Sequence, residues 1–303
     1  MPRLGPAVLA VLATAAVPDP AFSTEPRHLA LSVADAQGQF VTDLRAEEVH
    51  VLENGEPREL ARFERDERPL AVFLVLDTST GAARVFRTQA YDAVWAFVSG
   101  LPAGSKCTLW TTGDRPRKLG TLDGERKAVD KKVGQGFALE GANALMDTLV
   151  EAAKALSGES GRRRALVVLS GSWAGHTSYS PNDVTTQARR SGAPVFALMY
   201  GEGEFASAGS LRLGLTPRDG ANLTIVAASD HERILSGLAQ GTGGRFERIA
   251  SALGAGAAFG PMAAELGGQY RILYLPGDGQ GARRVEVRIA RPGVHWRVSV
   301  DSP

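Results

Sequence analysis

Asp77 is a lone carboxylate that follows a continuously apolar run, residues 70–76 (LAVFLVL), and precedes the small hydroxyl residues Thr78, Ser79 and Thr80. Such a run is typical of a strand buried on both faces of a parallel sheet, and ligands bind at the carboxyl ends of these strands. Carboxylate and hydroxyl oxygens are the hard ligands that Mg²⁺ and Ca²⁺ require. The same aspartate can instead cap the loop by accepting backbone N–H bonds from Ser79 and beyond. The stretch therefore indicates either a metal site or the remnant of one.

Catalytic signatures are missing from the sequence. It has no Gly-x-Ser-x-Gly elbow, no His-Glu-x-x-His pair and no P-loop. Ser172 lies in a context, SGSW, that assigns it no base, and the five histidines are scattered without a motif. The single cysteine, Cys107, lies in the alternating run SKCTLWTT, which predicts a buried strand position, and it permits neither an intrachain disulfide nor a cysteine-based metal site. We therefore predict a protein that is not an enzyme.

The composition is that of an ordinary globular protein. Of the 303 residues, 44% are hydrophobic and 22% are charged, and the formal net charge is +1. This leaves enough apolar side chain for a core. Non-specific nucleic-acid binding needs a concentrated basic surface, so the charge balance argues against a nucleic-acid partner. The small basic run at residues 162–164 is expected in a solvated loop between a helix and a strand.

The first 23 residues have the pattern of a secretory signal peptide. Arg3 supplies a positive charge, residues 4–16 are apolar but too short to span a bilayer, and small residues at positions 14–16 or at Ser23 offer a cleavage site. No other segment is long and apolar enough to cross a membrane. We therefore expect an exported protein, periplasmic or extracellular, with no membrane span; the sequence leaves its oligomeric state open.

Three loops resemble the metal-ion-dependent adhesion site of von Willebrand factor type A domains. DTSTG, residues 77–81, resembles the first loop of that site, Asp-x-Ser-x-Ser. GANALMDTL, residues 141–149, is similar to the Gly-Gly-Thr-Ala-Leu-Tyr-Asp-Ala-Leu stretch of bacterial members. VVLSGSWAGHTS, residues 167–178, resembles the strand that usually continues into Ser-Asp-Gly. The resemblance implies a binding module rather than a catalyst.

The flanking segments are similar to those of the exported "VWFA-related" proteins of acidobacteria and their neighbours. SVADAQGQFVTDLRAEEVHVLENGEPRELARF, residues 32–63, resembles the segment that precedes their domain. LAQGTGGRF and QYRILYLPGDGQGARRVEVRI resemble the segment that follows it. The resemblance covers nearly all of the mature chain, but it says little about function because this family is mostly uncharacterised.

The metal-ligand set that the resemblance implies is kept only in part. Three residues still offer an oxygen: Asp77, Ser79 and, where the family has threonine, Asn143. Gly81 replaces the second serine of the first loop, and Gly171 or, with a slip of one residue, Ser172 replaces the aspartate of the third loop. One carboxylate and two neutral oxygens hold a strongly hydrated dication poorly. We predict no metal cofactor; the alternative is a degenerate site that still holds Mg²⁺ or Ca²⁺ on the three retained oxygens.

The loops at the carboxyl edge of the sheet are expected to contact an unidentified protein partner. The residues assigned to this rim are Asp77, Ser79, Asn143, Ser170, Ser172 and Trp173. Trp173, His176 and Tyr179 are candidate contact residues because exposed aromatic side chains favour binding; the alternative is that they pack down on the sheet. The predicted function is an exported, non-catalytic protein-binding or adhesion module that works without metal. The alternatives are a metal-dependent ligand-binding A domain and a structural component of a cell-envelope assembly.

The elements that must position these loops alternate along the chain. Strands are predicted at residues 70–76, 107–111, 117–122, 165–169, 194–199 and 245–249. Helices are predicted at residues 88–98, 143–156, 182–190, 229–240 and 261–266. This alternation indicates a doubly wound, mostly parallel α/β sheet of von Willebrand factor A or Rossmann-like type. Residues 201–222, rich in Gly, Ser and Arg, are expected to form a long loop.

Both chain ends show a half-buried alternation that is typical of antiparallel strands. The predicted strands are residues 28–41 around a turn at 35–38, 48–53, 58–63, 270–275, 283–290 and 295–300. Asn54-Gly55 is the strongest turn signal. We predict that the two ends pair into a small antiparallel β module into which the α/β domain is inserted. The predicted divisions are a signal peptide (1–23), N-terminal module strands (24–68), a von Willebrand factor type A-like domain (69–267) and C-terminal module strands (268–303).

Overall fold

A computed structural model describes residues 26–122, 124–139, 141–201, 224–277 and 284–300 of the chain. The predicted signal peptide, residues 1–23, and nearly all of the predicted loop at residues 201–222 lie outside this part. Among the described residues, no helix has both the length and the apolar character needed to cross a membrane.

The described residues form fifteen strands and seven α-helices. The strands are β1 (Arg27–Asp35), β2 (Val49–Glu53), β3 (Glu56–Arg58), β4 (Leu60–Arg65), β5 (Leu70–Leu76), β6 (Lys106–Thr111), β7 (Arg117–Leu122), β8 (Arg163–Gly171), β9 (Gly175–Thr177), β10 (Val195–Tyr200), β11 (Thr224–Val226), β12 (Arg245–Ile249), β13 (Tyr270–Tyr274), β14 (Val285–Ile289) and β15 (Val294–Val300). The helices are α1 (Thr80–Val85), α2 (Arg87–Ser99), α3 (Arg126–Phe137), α4 (Leu145–Leu156), α5 (Pro181–Arg190), α6 (Ala228–Thr242) and α7 (Ala255–Gly267).

The central sheet has six strands in the order β12-β10-β8-β5-β6-β7. All neighbours are parallel except β6 and β7, which are antiparallel. Every residue of β5 is buried, because its alternate side chains enter two different cores. Leu74 packs with α1, α2, α3 and α7 on one face, and Val75 packs with α4, α5 and α6 on the other. The fold class, an α/β fold with a mixed but mostly parallel sheet covered on both faces, is confirmed.

The strands at the two ends of the chain pair with each other. A four-stranded antiparallel sheet has the order β15-β1-β13-β4, and a three-stranded sheet has the order β14-β2-β3. β1 therefore lies between two strands from the C-terminal end, with Leu31 opposite Tyr270 on one side and Val298 on the other. Leu31, Val51 and Ile272 belong to a third apolar core that the two sheets share.

The turn at Asn54-Gly55 is confirmed. Asn54 has a φ of 55° and Gly55 a φ of 88°, which are the left-handed conformations of the tight turn that favours this dipeptide. The single returning strand expected at residues 58–63 is wrong. The chain divides at Glu59, so that β3 pairs with β2 while β4 pairs with β13 in the other sheet.

Helix α7 begins earlier than the sequence indicates. A start at Pro261 is predicted, but the helix starts at Ala255 and holds the proline in its interior. Phe259, Met262 and Leu266 are fully buried against the central sheet, and their spacing defines one helical face. The burial of this face outweighs the hydrogen bond that an interior proline removes.

Helix α3 is not indicated by the sequence pattern. Its residues include four lysines and arginines and two glycines, a composition with poor helical signal. Val129, Val133 and Phe137 form a narrow apolar stripe, and all three are fully buried in the core. Packing of this stripe, rather than local propensity, stabilises the helix.

The expectation of a solvated loop at residues 162–164 is wrong for Arg163. This residue begins β8, and its side chain is only 3% exposed. Its guanidinium donates from Nε to the backbone oxygen of Arg68 at 2.9 Å and from Nη1 to the backbone oxygen of Leu266 at 2.8 Å. Arg163 also lies 3.6 Å from a carboxylate oxygen of Asp66. The charge is buried because this carboxylate and these carbonyls converge on it at the amino end of the sheet.

Candidate functional site

The carboxyl edge of the central sheet brings together loops that are distant in the sequence. Asp77 follows β5, and its backbone N–H donates to Leu169 on the neighbouring strand β8 at 2.9 Å. Thr80, at the start of α1, donates from its backbone N–H to Gly141 at 2.9 Å. The first and second loops are thereby joined, and the third loop begins beside them at Gly171.

The carboxylate of Asp77 lies at the centre of these loops and is completely buried. Its Oδ1 accepts a hydrogen bond from the backbone N–H of Ser79 at 3.0 Å and one from the hydroxyl of Thr112 at 3.3 Å. The bond from Ser79 is the one that a loop cap requires. Ser79 itself caps the N-terminus of α1, because its hydroxyl accepts a bond from the backbone N–H of Ala82 at 3.5 Å.

Four donors converge on the other oxygen, Oδ2. They are the indole Nε1 of Trp173 at 2.9 Å, the backbone N–H of Gly171 at 3.1 Å, the hydroxyl of Ser170 at 3.1 Å and the amide Nδ2 of Asn143 at 3.3 Å. All of these donors are electrically neutral. Asp77 is therefore a buried carboxylate that is held by dipoles rather than by an opposite charge.

The indole ring of Trp173 fills the space in front of this carboxylate. A Cβ atom added at Gly171 would lie 2.0 Å from ring atoms of Trp173, and one added at Gly81 would lie 3.1 Å from the ring. The ring also contacts Tyr200 edge to face, with 5.7 Å between the ring centroids. The two positions at which the resemblance expects oxygen ligands, 81 and 171, are thus glycines that the indole covers.

The residues present do not fit a metal ion. Mg²⁺ requires near-octahedral oxygen ligands at roughly 2.0–2.1 Å, whereas Oδ2 of Asp77 already accepts four N–H and O–H groups. Asn143 presents its amide N–H, not its carbonyl oxygen, to Asp77. The indole of Trp173 occupies the space that a ligand side chain at position 171 would need.

His176 is part of the scaffold of the third loop rather than its surface. Its side chain is only 3% exposed. Its backbone N–H donates to the backbone oxygen of Asn143 at 2.9 Å, and its Nε2 lies 3.2 Å from the backbone oxygen of Asp114. The expectation that His176 is an exposed contact residue is therefore wrong, and the alternative, packing on the end of the sheet, is correct for this residue.

Asp147 anchors the far side of the same loop. Its Oδ1 accepts hydrogen bonds from the hydroxyl of Thr177 at 2.5 Å and from the backbone N–H of Ser178 at 2.9 Å. Tyr179 packs back on α4, where its hydroxyl donates to Glu151 at 3.0 Å. Sequence reasoning did not single out Asp147, although this residue lies within the matched stretch GANALMDTL.

His231, on α6, holds the backbone of Trp173 and was also missed. Its side chain is fully buried, and its Nδ1 lies 3.0 Å from the backbone oxygen of Trp173. Burial lowers the pKa of His231 below its ordinary value, and the bond to Trp173 opposes this effect only in part. His231 is therefore a neutral donor, and no motif around it in the sequence reveals this role.

The predicted rim residues differ sharply in accessibility. Five of them are buried: Asp77, Ser79, Asn143, Ser170 and Ser172. In this arrangement their side chains lie beneath the surface of the loops. Trp173 is half-buried, so one part of its ring bonds Asp77 while another part faces the surface.

An apolar pocket of about 180 Å³ opens beside the exposed part of Trp173. It is lined by Val85, Gln89, Trp173, Tyr200, Gly201, Ala250, Ser251, Ala252 and Leu253. Leu253 is 79% exposed and Val85 is 45% exposed, and these two side chains form the lips of the pocket. Among the residues that the structure describes, no charged side chain lines it. Chemically, the pocket suits an uncharged, largely apolar group of a partner.

Comparisons with known proteins show low identity throughout. No family model and no curated protein sequence matches the chain. The structure of a von Willebrand factor type A protein from Catenulispora acidiphila is 13% identical, with a TM-score of 0.49 over 92% of this chain and 74% of that one. Proximal thread matrix protein 1 from the mussel byssus is 12% identical, with a TM-score of 0.47 over 77% of this chain and 50% of that one. The present chain therefore spans half the length of the mussel protein.

A third similar structure is the von Willebrand factor domain of the type V pili tip protein Mfa5 from Porphyromonas gingivalis. It is 12% identical, with a TM-score of 0.46 over 66% of this chain and 95% of that one. Membership of the exported "VWFA-related" group stays a prediction.

Proposed function

We propose that this chain is an exported, non-catalytic protein-binding module that contacts its partner through the carboxyl edge of the central sheet and needs no metal ion. The observation that carries the proposal is the apolar pocket beside Trp173, with its exposed lips Val85 and Leu253. Exposed apolar residues around a concave site are typical of an interaction surface.

One wall of the pocket is tied down before any partner binds, because Trp173 is held by Asp77 through its indole and by His231 through its backbone oxygen. Asp147 holds a neighbouring part of the same third loop at Thr177 and Ser178. A rigid rim loses little conformational entropy on association, and this favours binding. Recognition would then rest on shape and apolar contact, because no cation is needed to bridge the two proteins.

The test is a capture experiment on envelope extracts with four immobilised proteins: the parent, Val85→Asp, Leu253→Asp and Leu275→Asp. Leu275 is the matched control, because it is an exposed leucine, 38% accessible, that follows β13 and does not line the pocket. Each capture is run with Mg²⁺ and with a chelator. We expect one partner to bind the parent and Leu275→Asp in both buffers, and to be lost from both pocket variants.

Two other outcomes would favour the alternatives. A partner that the chelator releases would support a metal-dependent A domain. A partner that is lost from Leu275→Asp and kept by the two pocket variants would support docking of the paired chain ends into a larger envelope assembly.

We also infer that the α/β domain, residues 69–267, is inserted into a module formed by residues 24–68 and 268–303. The pairing of Ala30 on β1 with Ser299 on β15 supports this division. Directly paired residues have Cβ atoms close enough for a disulfide, so the double substitution Ala30→Cys and Ser299→Cys should oxidise to a cross-linked form that migrates differently in denaturing electrophoresis. Ala30→Cys with Arg288→Cys on β14 is the control that should not cross-link.

A further inference from the structure

Gly81, Gly171 and Trp173 form a set of residues that depend on one another. Gly171 ends β8 and Gly81 lies inside α1, where glycine is less favourable than alanine. Neither glycine has the left-handed backbone conformation that would demand it. The indole demands glycine at 171, where an added Cβ would lie 2.0 Å from the ring, and it crowds position 81, where an added Cβ would lie 3.1 Å from the ring.

The same indole supplies the shortest hydrogen bond to Oδ2 of Asp77, at 2.9 Å. The carboxylate is completely buried, and among the described residues its hydrogen-bond donors are all neutral groups. A buried carboxylate is costly unless its charge is compensated. An indole N–H directed at the oxygen places the positive end of a dipole where a cation would otherwise stand.

We propose that the Trp173 side chain takes the place of a metal ion in this site. The ring fills the volume of the ion and of the two missing ligand side chains, and the N–H compensates part of the charge of Asp77. The three loops are therefore held together without a cation. This inference deepens the metal-independent part of the proposed function, but its tests measure folding and cation binding, so it can fail while partner binding through the pocket is upheld.

The first test is a double-mutant cycle between Gly171→Ala and Trp173→Ala, measured as melting temperatures. We expect Gly171→Ala to lower the melting temperature strongly in the parent and hardly at all in the Trp173→Ala background, because the colliding ring is then absent. Trp173→Phe, which lacks Nε1 and the outer ring, serves in the same cycle if Trp173→Ala does not fold. Equal losses in both backgrounds would overturn the proposal.

Gly175→Ala is the matched control for this cycle. A Cβ at Gly175 would lie 2.1 Å from the backbone oxygen of Asn143, with no atom of the indole among its nearest neighbours. Its penalty should therefore persist in the Trp173→Ala background. If Trp173→Ala also removes the melting-temperature penalty of Gly175→Ala, then loss of Trp173 merely loosens the whole edge. That result would refute the proposal that the indole takes the place of the metal ion.

The second test restores the oxygen ligands. The triple variant Gly81→Ser/Gly171→Asp/Trp173→Ala has two added side-chain oxygens and no indole. We expect Mg²⁺ to bind it saturably in calorimetry and to raise its melting temperature, while the parent and Trp173→Phe show no response to Mg²⁺ or to chelator. A folded triple variant that ignores Mg²⁺, or a parent that binds it, would show that the indole does not stand in the place of a cation.

Discussion

Two buried aspartates lie at opposite ends of the central sheet and are compensated in different ways. Asp66, at the amino end, is 4% exposed, and Asp77, at the carboxyl end, is fully buried. Arg68 donates to both oxygens of Asp66, at 2.9 and 2.7 Å, and Arg163 lies 3.6 Å away. Asp77 has only neutral donors. Asp66 therefore belongs to a structural ion-pair network, whereas Asp77 is surrounded by neutral hydrogen-bond donors, which we call the dipole cage.

The pKa of Asp66 shows which effect dominates at the amino end. Burial alone would raise it, but the hydrogen bonds from Arg68 and the charges of Arg163 and Arg68 outweigh burial and lower the pKa below its ordinary value. The network also joins the two parts of the fold, since the backbone N–H of Asp66 donates to Gln269 at 2.9 Å and Arg163 donates to the side chain of Gln269 at 3.2 Å. Charge is placed where the sheet meets the paired chain ends, and neutral dipoles are placed where the loops meet the surface.

The largest expected effect comes from breaking the ion-pair network. Arg163→Met leaves Asp66 buried with one partner fewer and removes the bonds to three other acceptors, so we expect the free energy of unfolding to fall by about 3–5 kcal/mol. Urea denaturation measures this loss. Arg190→Met, at an exposed position on α5, is the control and should change stability by less than about 0.5 kcal/mol. Equal effects would remove the distinction between the two ends.

A smaller loss is expected when the dipole cage is weakened. Trp173→Phe removes one hydrogen bond to a carboxylate and should cost about 1.5–3 kcal/mol, the range for bonds to charged groups. Trp296→Phe is the matched control, because its Nε1 donates to the neutral backbone oxygen of Val287 at 2.9 Å and its side chain is 39% exposed. We expect that change to cost only about 0.5–1.5 kcal/mol. A smaller loss at Trp173 than at Trp296 would contradict the role assigned to the cage.

Acidification should affect the two ends at different pH. The pKa of buried His231 is lowered below 6.5, so between that lowered value and 6.5 the unfolded chain binds a proton that the folded chain does not, and stability falls as the pH falls. The pKa of Asp66 is lowered from its ordinary value of 3.8. The stability that this carboxylate contributes is therefore lost only below pH 3.8, as the pH falls towards the lower pKa of the folded state. Unfolding free energies at a series of pH values should show the loss beginning just below 6.5.

The His231→Gln variant tests the assignment of the upper step. In this variant the unfolding free energy should no longer fall as the pH drops below 6.5. In His295→Gln, at an exposed position on β15, the fall should remain. A slope that survives in His231→Gln would assign the acid sensitivity to other groups.

The smallest expected effect is on the chemical labelling of Cys107, which lies on β6 of the central sheet. It is 2% exposed, and burial raises the pKa of its thiol to about 12. A thiol reagent should therefore label it only on unfolding. Labelling of Cys107 should be faster in both variants than in the parent, because both unfold more often. The increase should be larger in Arg163→Met than in Trp173→Phe, because the loss of global stability is expected to be larger. Rapid labelling of the native parent would show that β6 is less protected than the fold implies.

The sequence alone determined the α/β architecture, because its signals are local. An apolar run such as residues 70–76 can be satisfied only by burial on both faces, and Asn54-Gly55 suits one tight turn. Local signals also indicated the strand that places Asp77 at the carboxyl edge of the sheet. They did not reveal α3 or the early start of α7, because both are stabilised by burial of a narrow apolar stripe against a distant sheet.

Only the tertiary structure decided how the two aspartates are compensated. Arg163 lies in a basic run that looks solvated, and it is buried because Asp66 and the backbone oxygen of Leu266 reach it from far along the chain. Trp173 looks like an exposed contact residue, yet its indole reaches Asp77, 96 positions away in the sequence. The glycines at 81 and 171 appear in the sequence only as lost ligands. In the fold their lack of a side chain leaves room for the ring. The sequence does not reveal this, because packing and charge compensation depend on which side chains meet in three dimensions.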